Sequence, residues 1–562
     1  MYVFTFMKYP NKKNLIICVL FAVFLFLRLF SSSSSILLGA DSLKYIVAAK
    51  SFPHHELYNH QLYLLHPPGY PYTIYFANLI FHDYHTTGIF ISLFSSIVTF
   101  FILYKFFMML TRNFNVTFFI LVFYTLSVTF ISYARAILKE SFVIMLIFLS
   151  LHYYIKAVKF NDRKSLIAAS VFGSLLAVTS DHIIFLFPSL MLSYIFFNST
   201  KINLKSLSFP NLKYAIAPII TILLFYALWS GIKFYQYAAN EYYPNGLGGT
   251  PLNTQNLNLF KIISPTNFED YNLPYISPGA ISIVKKIVYQ LGYMFDIEPF
   301  SIPLGLNFTT MKFLLAPKHI IYMFLIYLPL FLVALFSLFS IIKDFFKTRR
   351  IYDNVNLYMI GLFLIFIFPL THKMTSSRFI YTAYFFLFYF ISYGLFIIFE
   401  RKRLLKFYSK LVQVTTILLL VLVPFWYINN EHFVLFTKAV PGVQNTADFI
   451  NKNLDKNDAI MAQPGYPVNL IYLTGHRIIG LHQNPEKLPE LITYYNASYI
   501  VTGRLYTYYL GRYSADSAEY VRNNPDKFKL IATMHEDYSD FFVESDHSST
   551  DEVYIYKVIK NT

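Results

Sequence analysis

Charge is scarce in this 562-residue chain, tryptophan is nearly absent, and there is a single cysteine. Charged residues make up 14% of the chain, against 56% hydrophobic and 20% aromatic. A soluble domain carries about a quarter charged residues, so an ordinary water-soluble enzyme is excluded. Cys18 lies inside the first apolar run, which rules out an intramolecular disulfide and a thiolate metal cluster. The chain shows no convincing Gly-rich phosphate loop, no paired-Asp metal motif in an inward segment and no solenoid repeat. What fills it instead is 61 Phe and 48 Tyr, a composition suited to lipid-facing helices with Tyr at the interfaces. The net charge of +16 then becomes a question of which side of a membrane the basic residues occupy.

A helix needs about 20 mainly apolar residues to cross the hydrocarbon. About eleven such runs are predicted, centred near residues 22, 97, 122, 148, 172, 190, 221, 330, 363, 389 and 419. The first, Asn14 to Phe30, is too long for a signal peptide and lacks the small-residue cleavage site, so it reads as a retained span with Arg28 near its outer end. With the N-terminus inside, one set of loops holds Lys8, Lys12 and Lys13; Lys105 and Arg112; the Lys156 to Lys164 cluster; Lys201, Lys205 and Lys213; Lys343 to Arg350; and Arg401 to Lys410. The opposite short loops hold only Lys44, Lys50, Arg135, Lys139, Lys373 and Arg378. This asymmetry predicts a cytoplasmic N-terminus and an extracytoplasmic C-terminus, in the cell membrane or, in a eukaryote, the ER membrane. It requires the segment from His66-Pro67-Pro68-Gly69-Tyr70-Pro71 through Phe81 to be an outer juxtamembrane helix that does not cross.

The expected fold is therefore mainly α and polytopic, with residues 1–429 as a transmembrane catalytic domain carrying outer loops 32–87 and 231–317. Residues 430–562 form the second unit. There apolarity drops and the period changes, which predicts a small extracytoplasmic α/β domain. Its expected helices are Thr446 to Asn453 and Pro485 to Tyr495. Its expected strands are Ala459 to Ala462, Arg477 to Gly480, Ser498 to Thr502, Leu530 to Met534 and Val553 to Val558.

Ionisable groups at membrane depth are functional candidates by default, and the outward ends collect an unusual share of them. Asp41, just past the first span, is either a general base for an acceptor hydroxyl or a cap of the helix beginning at Ser42. His66 before Pro67-Pro68 is either a polar helix start or an imidazole facing a phosphate. Glu140 opens the fourth span about one turn into apolar sequence, so it should pair with Arg135, with Lys139 or with a bound group. Asp181-His182 is explained by turn polarity. His372, Lys373 and Arg378 form a basic outward loop against the positive-inside trend, suited to a lipid-linked phosphate or to interfacial snorkelling. The histidines 54, 55, 60, 66, 82 and 85 lack the spacing of a known zinc motif and read as surface residues.

The order of these motifs resembles the GT-C glycosyltransferases, in particular the protein mannosyltransferases (glycosyltransferase family 39) and the aminoarabinose transferases of lipid A. The tail segments Thr446-Ala447-Asp448-Phe449-Ile450 and Tyr472-Leu473-Thr474-Gly475-His476-Arg477 also resemble the outer domain of prokaryotic members. The resemblance implies a GT-C fold and a membrane enzyme that moves a sugar from a polyprenyl phosphate to an acceptor protein, lipid or glycan on the outer side, usually with inversion. It implies that Asp41 is the catalytic base, that Glu140 takes the place of a common Asp, and that Arg378 touches the lipid phosphate. Ser42 stands where protein mannosyltransferases often have Glu, and Gly69-Tyr70-Pro71 replaces a Leu-Gly-Lys run, so neither a second carboxylate nor a lysine carries over there. No cofactor is required, with a divalent metal as the one open option, and no nucleic-acid partner is expected. Two other readings use the same cations: a transporter or flippase of a lipid-linked sugar, which the lack of an inverted repeat disfavours, and a polymerase or ligase of surface polysaccharide.

Overall fold

Apolar periodicity organises the chain into helices joined by short capped turns. In the computed structural model the described residues are 12–29, 40–51, 67–180, 182–197, 216–228, 328–348, 354–367, 381–400, 443–463, 467–481, 484–503, 515–537 and 550–559. The helices of the first unit are α1 (Lys12–Leu29), α2 (Ala40–Ser51), α3 (Gly69–Phe81), α4 (Tyr84–Thr111), α5 (Phe114–Leu126), α6 (Val128–Arg135), α7 (Lys139–Phe160), α8 (Arg163–Ala177), α9 (Ile183–Phe197), α10 (Ile216–Leu228), α11 (Leu328–Thr348), α12 (Val355–Ile367) and α13 (Tyr381–Glu400). Ten of the eleven predicted run centres fall inside these helices. The eleventh, near 419, lies outside the described residues.

Among the described residues three helices are long and apolar enough to cross a bilayer by themselves: Tyr84–Thr111, Lys139–Phe160 and Tyr381–Ile398. Large apolar side chains such as Phe94, Ile167, Leu224, Leu332 and Phe339 stay exposed along the bundle. That is the surface of a multi-pass membrane protein, whose solvent is lipid. Helix α3 has 13 residues, a length of about 20 Å against the ~30 Å hydrocarbon. It is too short to cross alone, as are the equally short α5 and α12. Asp83 then caps α4 by accepting from the backbone N–H of Thr86 at 2.8 Å, so α3 and α4 form a hairpin.

Between α5 and α6 the chain stops and restarts its helix at Ser127, whose backbone is extended (φ −66°, ψ 116°). The last carbonyls of an interrupted helix lack intrahelical partners. Here the guanidinium of Arg28, at the end of α1 and 3% exposed, takes two of them. Its Nη2 donates to the Tyr124 carbonyl at 3.2 Å and its Nη1 to the Thr125 carbonyl at 3.4 Å. Its Nε donates to Ser96 Oγ at 3.0 Å, and its plane lies 3.7 Å from the Phe24 ring centroid. A charge in the bundle is thereby satisfied by backbone and aromatic faces.

The tail contains α14 (Gln444–Asn453), β1 (Ala459–Ala462), α15 (Pro467–Thr474), β2 (Arg477–Gly480), α16 (Leu488–Tyr495), β3 (Ala497–Gly503), α17 (Ala515–Asn523), β4 (Phe528–Asp537) and β5 (Thr550–Val558). Their order in the five-stranded sheet is β2-β1-β3-β5-β4. Strand β1 pairs parallel with β2 and β3, while β5 pairs antiparallel with β3 and β4. All four residues of β1 are buried, because both faces of the sheet are covered. Ile460 and Ala462 face one core with Ala447, Leu470, Val501 and Ile555. Ala459 and Met461 face the other with Leu488, Leu491, Val521 and Phe528. Helix α14 has no side-chain cap of its own; Glu536 of β4 supplies one, accepting from Thr446 N at 2.6 Å and Thr446 Oγ1 at 2.7 Å.

Candidate active site

The prolines of the His66 to Pro71 block do what their position predicts. Pro68 is the N-cap residue of α3, and its carbonyl accepts from Tyr72 N at 2.9 Å. Gly69 lies against the turn that follows α8, donating its N–H to the Val178 carbonyl at 2.7 Å. A Cβ at residue 69 would stand 2.8 Å from that carbonyl oxygen and collide with Thr179 Oγ1, so the close approach needs glycine. Gly69→Ala is expected to destabilise the protein by about 1–3 kcal/mol through overpacking against backbone, read as a lower thermal unfolding midpoint in detergent.

The next residue, Tyr70, is fully buried and ties four segments together. Its hydroxyl lies 2.9 Å from Ser92 Oγ and donates to the Gly88 carbonyl at 3.4 Å on α4. Ser92 Oγ in turn donates to the Leu138 carbonyl at 3.3 Å, at the threshold of α7. The Tyr70 ring meets Tyr45 of α2 edge-on at 5.1 Å and Phe142 of α7 at 6.0 Å. Burial pushes the Tyr70 hydroxyl well above its ordinary pKa, and the Glu140 carboxylate pushes the same way. Glu140 lies between Leu138 and Phe142, the two residues through which the start of α7 meets Ser92 and the Tyr70 ring.

Glu140 is the second residue of α7 and 3% exposed, where the positive end of the helix dipole favours a carboxylate. Arg135 closes α6 on the other side of the Ala136 to Leu138 turn. Arg135 Nη1 is buried and has no hydrogen-bond partner among the described residues. Lys139 is half-buried beside Glu140.

His182, expected only to supply turn polarity, is part of a buried aromatic stack. His182 is buried, its Nδ1 lies 2.8 Å from Ser180 Oγ, and its ring stacks on Tyr381 at 5.1 Å. Tyr381 meets Tyr133 of α6 edge-on at 5.9 Å. Tyr381 opens α13 three residues after Arg378, and Tyr133 precedes Arg135 by two, so this aromatic stack ties the start of the late helix to the basic end of α6. The signal in the sequence was a histidine between two apolar runs, facing a tyrosine about 200 residues away; only tertiary structure pairs them.

Asp41 is the second residue of α2, which begins at Ala40. It lies inside the first turn of that helix, one residue ahead of the start expected at Ser42. Helix α2 packs on α3, with Tyr45, Ile46 and Ala49 in the same buried cluster as Tyr70 and Ile74. The structure thus brings together the Asp41 helix, the Gly69-Tyr70 start and the start of α7 that carries Glu140. His66, His372, Lys373 and Arg378 lie outside the described residues. Among the described residues no group of three His, Cys, Asp or Glu side chains is arranged to hold a metal ion.

The resemblance read from the motifs is borne out by comparison. Residues 65–230 match the family model described as dolichyl-phosphate-mannose-protein mannosyltransferase. That stretch runs from the His66 block through Glu140 and the 178–182 turn to the end of α10, and it leaves out Asp41, the late basic loop and the tail. Two crystal structures of ArnT from Cupriavidus metallidurans, one bound to undecaprenyl phosphate and one in the apo state, are 10% identical to the chain. Each covers 96% of this chain and 97% of its own, with TM-scores of 0.41 and 0.40. No curated protein matches the sequence.

Proposed function

We propose that this chain, in which residues 65–230 match the protein mannosyltransferase model, is a membrane glycosyltransferase that uses a polyprenyl-phosphate-linked sugar. The carrying observation is that, within the matched segment, Gly69-Tyr70 meets the start of α7 that carries Glu140, and that α2, the helix bearing Asp41, packs on Tyr70 from outside that segment. In this reading Asp41 takes the proton from an acceptor hydroxyl as its oxygen attacks the anomeric carbon. The bond from that carbon to the phosphate oxygen breaks with inversion, and the phosphate leaves with the electron pair. A phosphate is already stable as an anion, so no general acid is needed; cations that hold it suffice. Arg135, Lys139, His66, His372, Lys373 and Arg378 are assigned to that clamp, on the extracytoplasmic side. The bundle of residues 1–429 is then the GT-C catalytic domain, and 430–562 its outer domain. The acceptor is a protein, lipid or surface glycan.

The test is product analysis by mass spectrometry. Purified protein in lipid is incubated with a panel of polyprenyl-phosphate monosaccharides and a membrane extract as acceptor source. Consumption of one donor with a matching mass gain on an acceptor identifies both substrates. A labelled lipid that changes leaflet without bond cleavage would replace the enzyme by a transporter. Within the enzyme reading, Arg135→Ala should raise the donor KM about 10- to 100-fold, the worth of one hydrogen bond to a charged group. Arg135→Lys should recover part of it, as a point charge without the planar fork.

A further inference from the structure

Helix α2 has two faces, and they are buried against different parts of the protein. Tyr45, Ile46 and Ala49 belong to the core of the helical bundle. Val47 and Ala48, 1% and 3% exposed, belong to the core of the tail, in one cluster with Val443, Ala447, Ile450 and Leu470. Helix α15, which carries Leu470, packs directly on α2. A 12-residue helix with both flanks buried is held between two bodies, and neither body alone fixes its height and rotation. An isolated helix of this length is marginal without tertiary packing.

We infer that the sheet-bearing tail is a positioning element for the reaction: through Leu470 on α15 it seats Val47 and Ala48, and thereby sets the height and rotation of α2, the helix whose first turn contains residue 41. The inference rests on the reading of Asp41 as base. Val47 and Leu470 are positioning residues that act through the helix and touch no substrate. Misplacing a reacting group by about 1 Å lowers rates by up to ~10²-fold, so loosening this seat is felt in turnover rather than in donor binding.

The experiment compares full-length Leu470→Ala with Leu491→Ala. Both remove a buried leucine from the tail, but Leu491 lies in the core on the far face of the sheet, away from α2. Leu470→Ala, and Val47→Ala with it, should lower kcat about ten- to hundredfold with the donor KM little changed. Leu470→Met, which keeps the volume, should restore most of the rate. Leu491→Ala should leave kcat near that of the parent protein. Hydrogen exchange of residues 45–50 is measured on the same proteins. It should rise in Leu470→Ala and not in Leu491→Ala, whatever reaction the protein performs. Equal losses of kcat in the two variants, or unchanged exchange in α2 on Leu470→Ala, would overturn the positioning role. Absence of sugar transfer by the parent protein, with the exchange contrast intact, would overturn the proposed reaction and leave the seating of α2 by the tail standing.

Discussion

Asp41→Asn is expected to lower kcat for sugar transfer by about 10²- to 10⁴-fold, the range ascribed to a positioned general base, with the donor KM and the amount of inserted protein unchanged. The substitution keeps size and hydrogen-bonding capacity and removes only the ability to take a proton. It also separates the two roles the sequence left open for this residue. Asp41 lies within the first turn of α2, where a carboxylate stabilises the helix dipole by about 0.3–1 kcal/mol. That is too little to unseat a helix buried on both flanks, so a stability role alone leaves transfer nearly intact. Turnover measured with saturating donor, alongside the unfolding midpoint of the same preparation, decides it: a normal rate removes Asp41 as base, and a lost rate at a normal midpoint establishes it.

The helices were legible because lipid removes ambiguity: a long apolar run has one stable conformation there, and the run centres near 97, 148 and 389 became Tyr84–Thr111, Lys139–Phe160 and Tyr381–Ile398. The tail strands β1 and β2 fall on the expected residues Ala459–Ala462 and Arg477–Gly480, since short β-branched or apolar runs between turn residues carry a period of two. The expected helix from Pro485 starts as a 3-10 turn, Pro485–Lys487, before Leu488–Tyr495, and helices Pro467–Thr474 and Ala515–Asn523 were not foreseen. Both are short and drawn into helix by tertiary packing, Pro467–Thr474 on α2 and β2 and Ala515–Asn523 through Val521 on the opposite core of the sheet, which no local pattern announces. Within the site, the cost of placing Glu140 in apolar sequence could be read from its position, whereas the close approach at Gly69 could not. The contribution of Tyr70, Ser92 and His182 could not, because each depends on a partner from another helix.

Replacing Arg28 by leucine tests how the bundle holds the basic end of the site. The guanidinium donates to Ser96 Oγ and to the Phe24, Tyr124 and Thr125 carbonyls, and side-chain hydrogen bonds between membrane helices average about 0.6 kcal/mol each. Four of them, together with two carbonyls stranded at the helix break, put the expected loss at about 2–4 kcal/mol. The fall in stability is read from unfolding in detergent. Its route to function runs through geometry: the carbonyls that Arg28 holds end α5, Ser127 redirects the chain, and eight residues later α6 delivers Arg135. Freed of Arg28, the interrupted helix can straighten through residue 127, which rotates α6 and carries Arg135 and Tyr133 away from Tyr381. Arg28→Leu should therefore weaken donor binding in addition to stability, and combining it with Arg135→Ala should raise the donor KM no further than Arg135→Ala alone. Additive losses in the double variant would show that Arg28 stabilises the bundle without placing the basic end of α6.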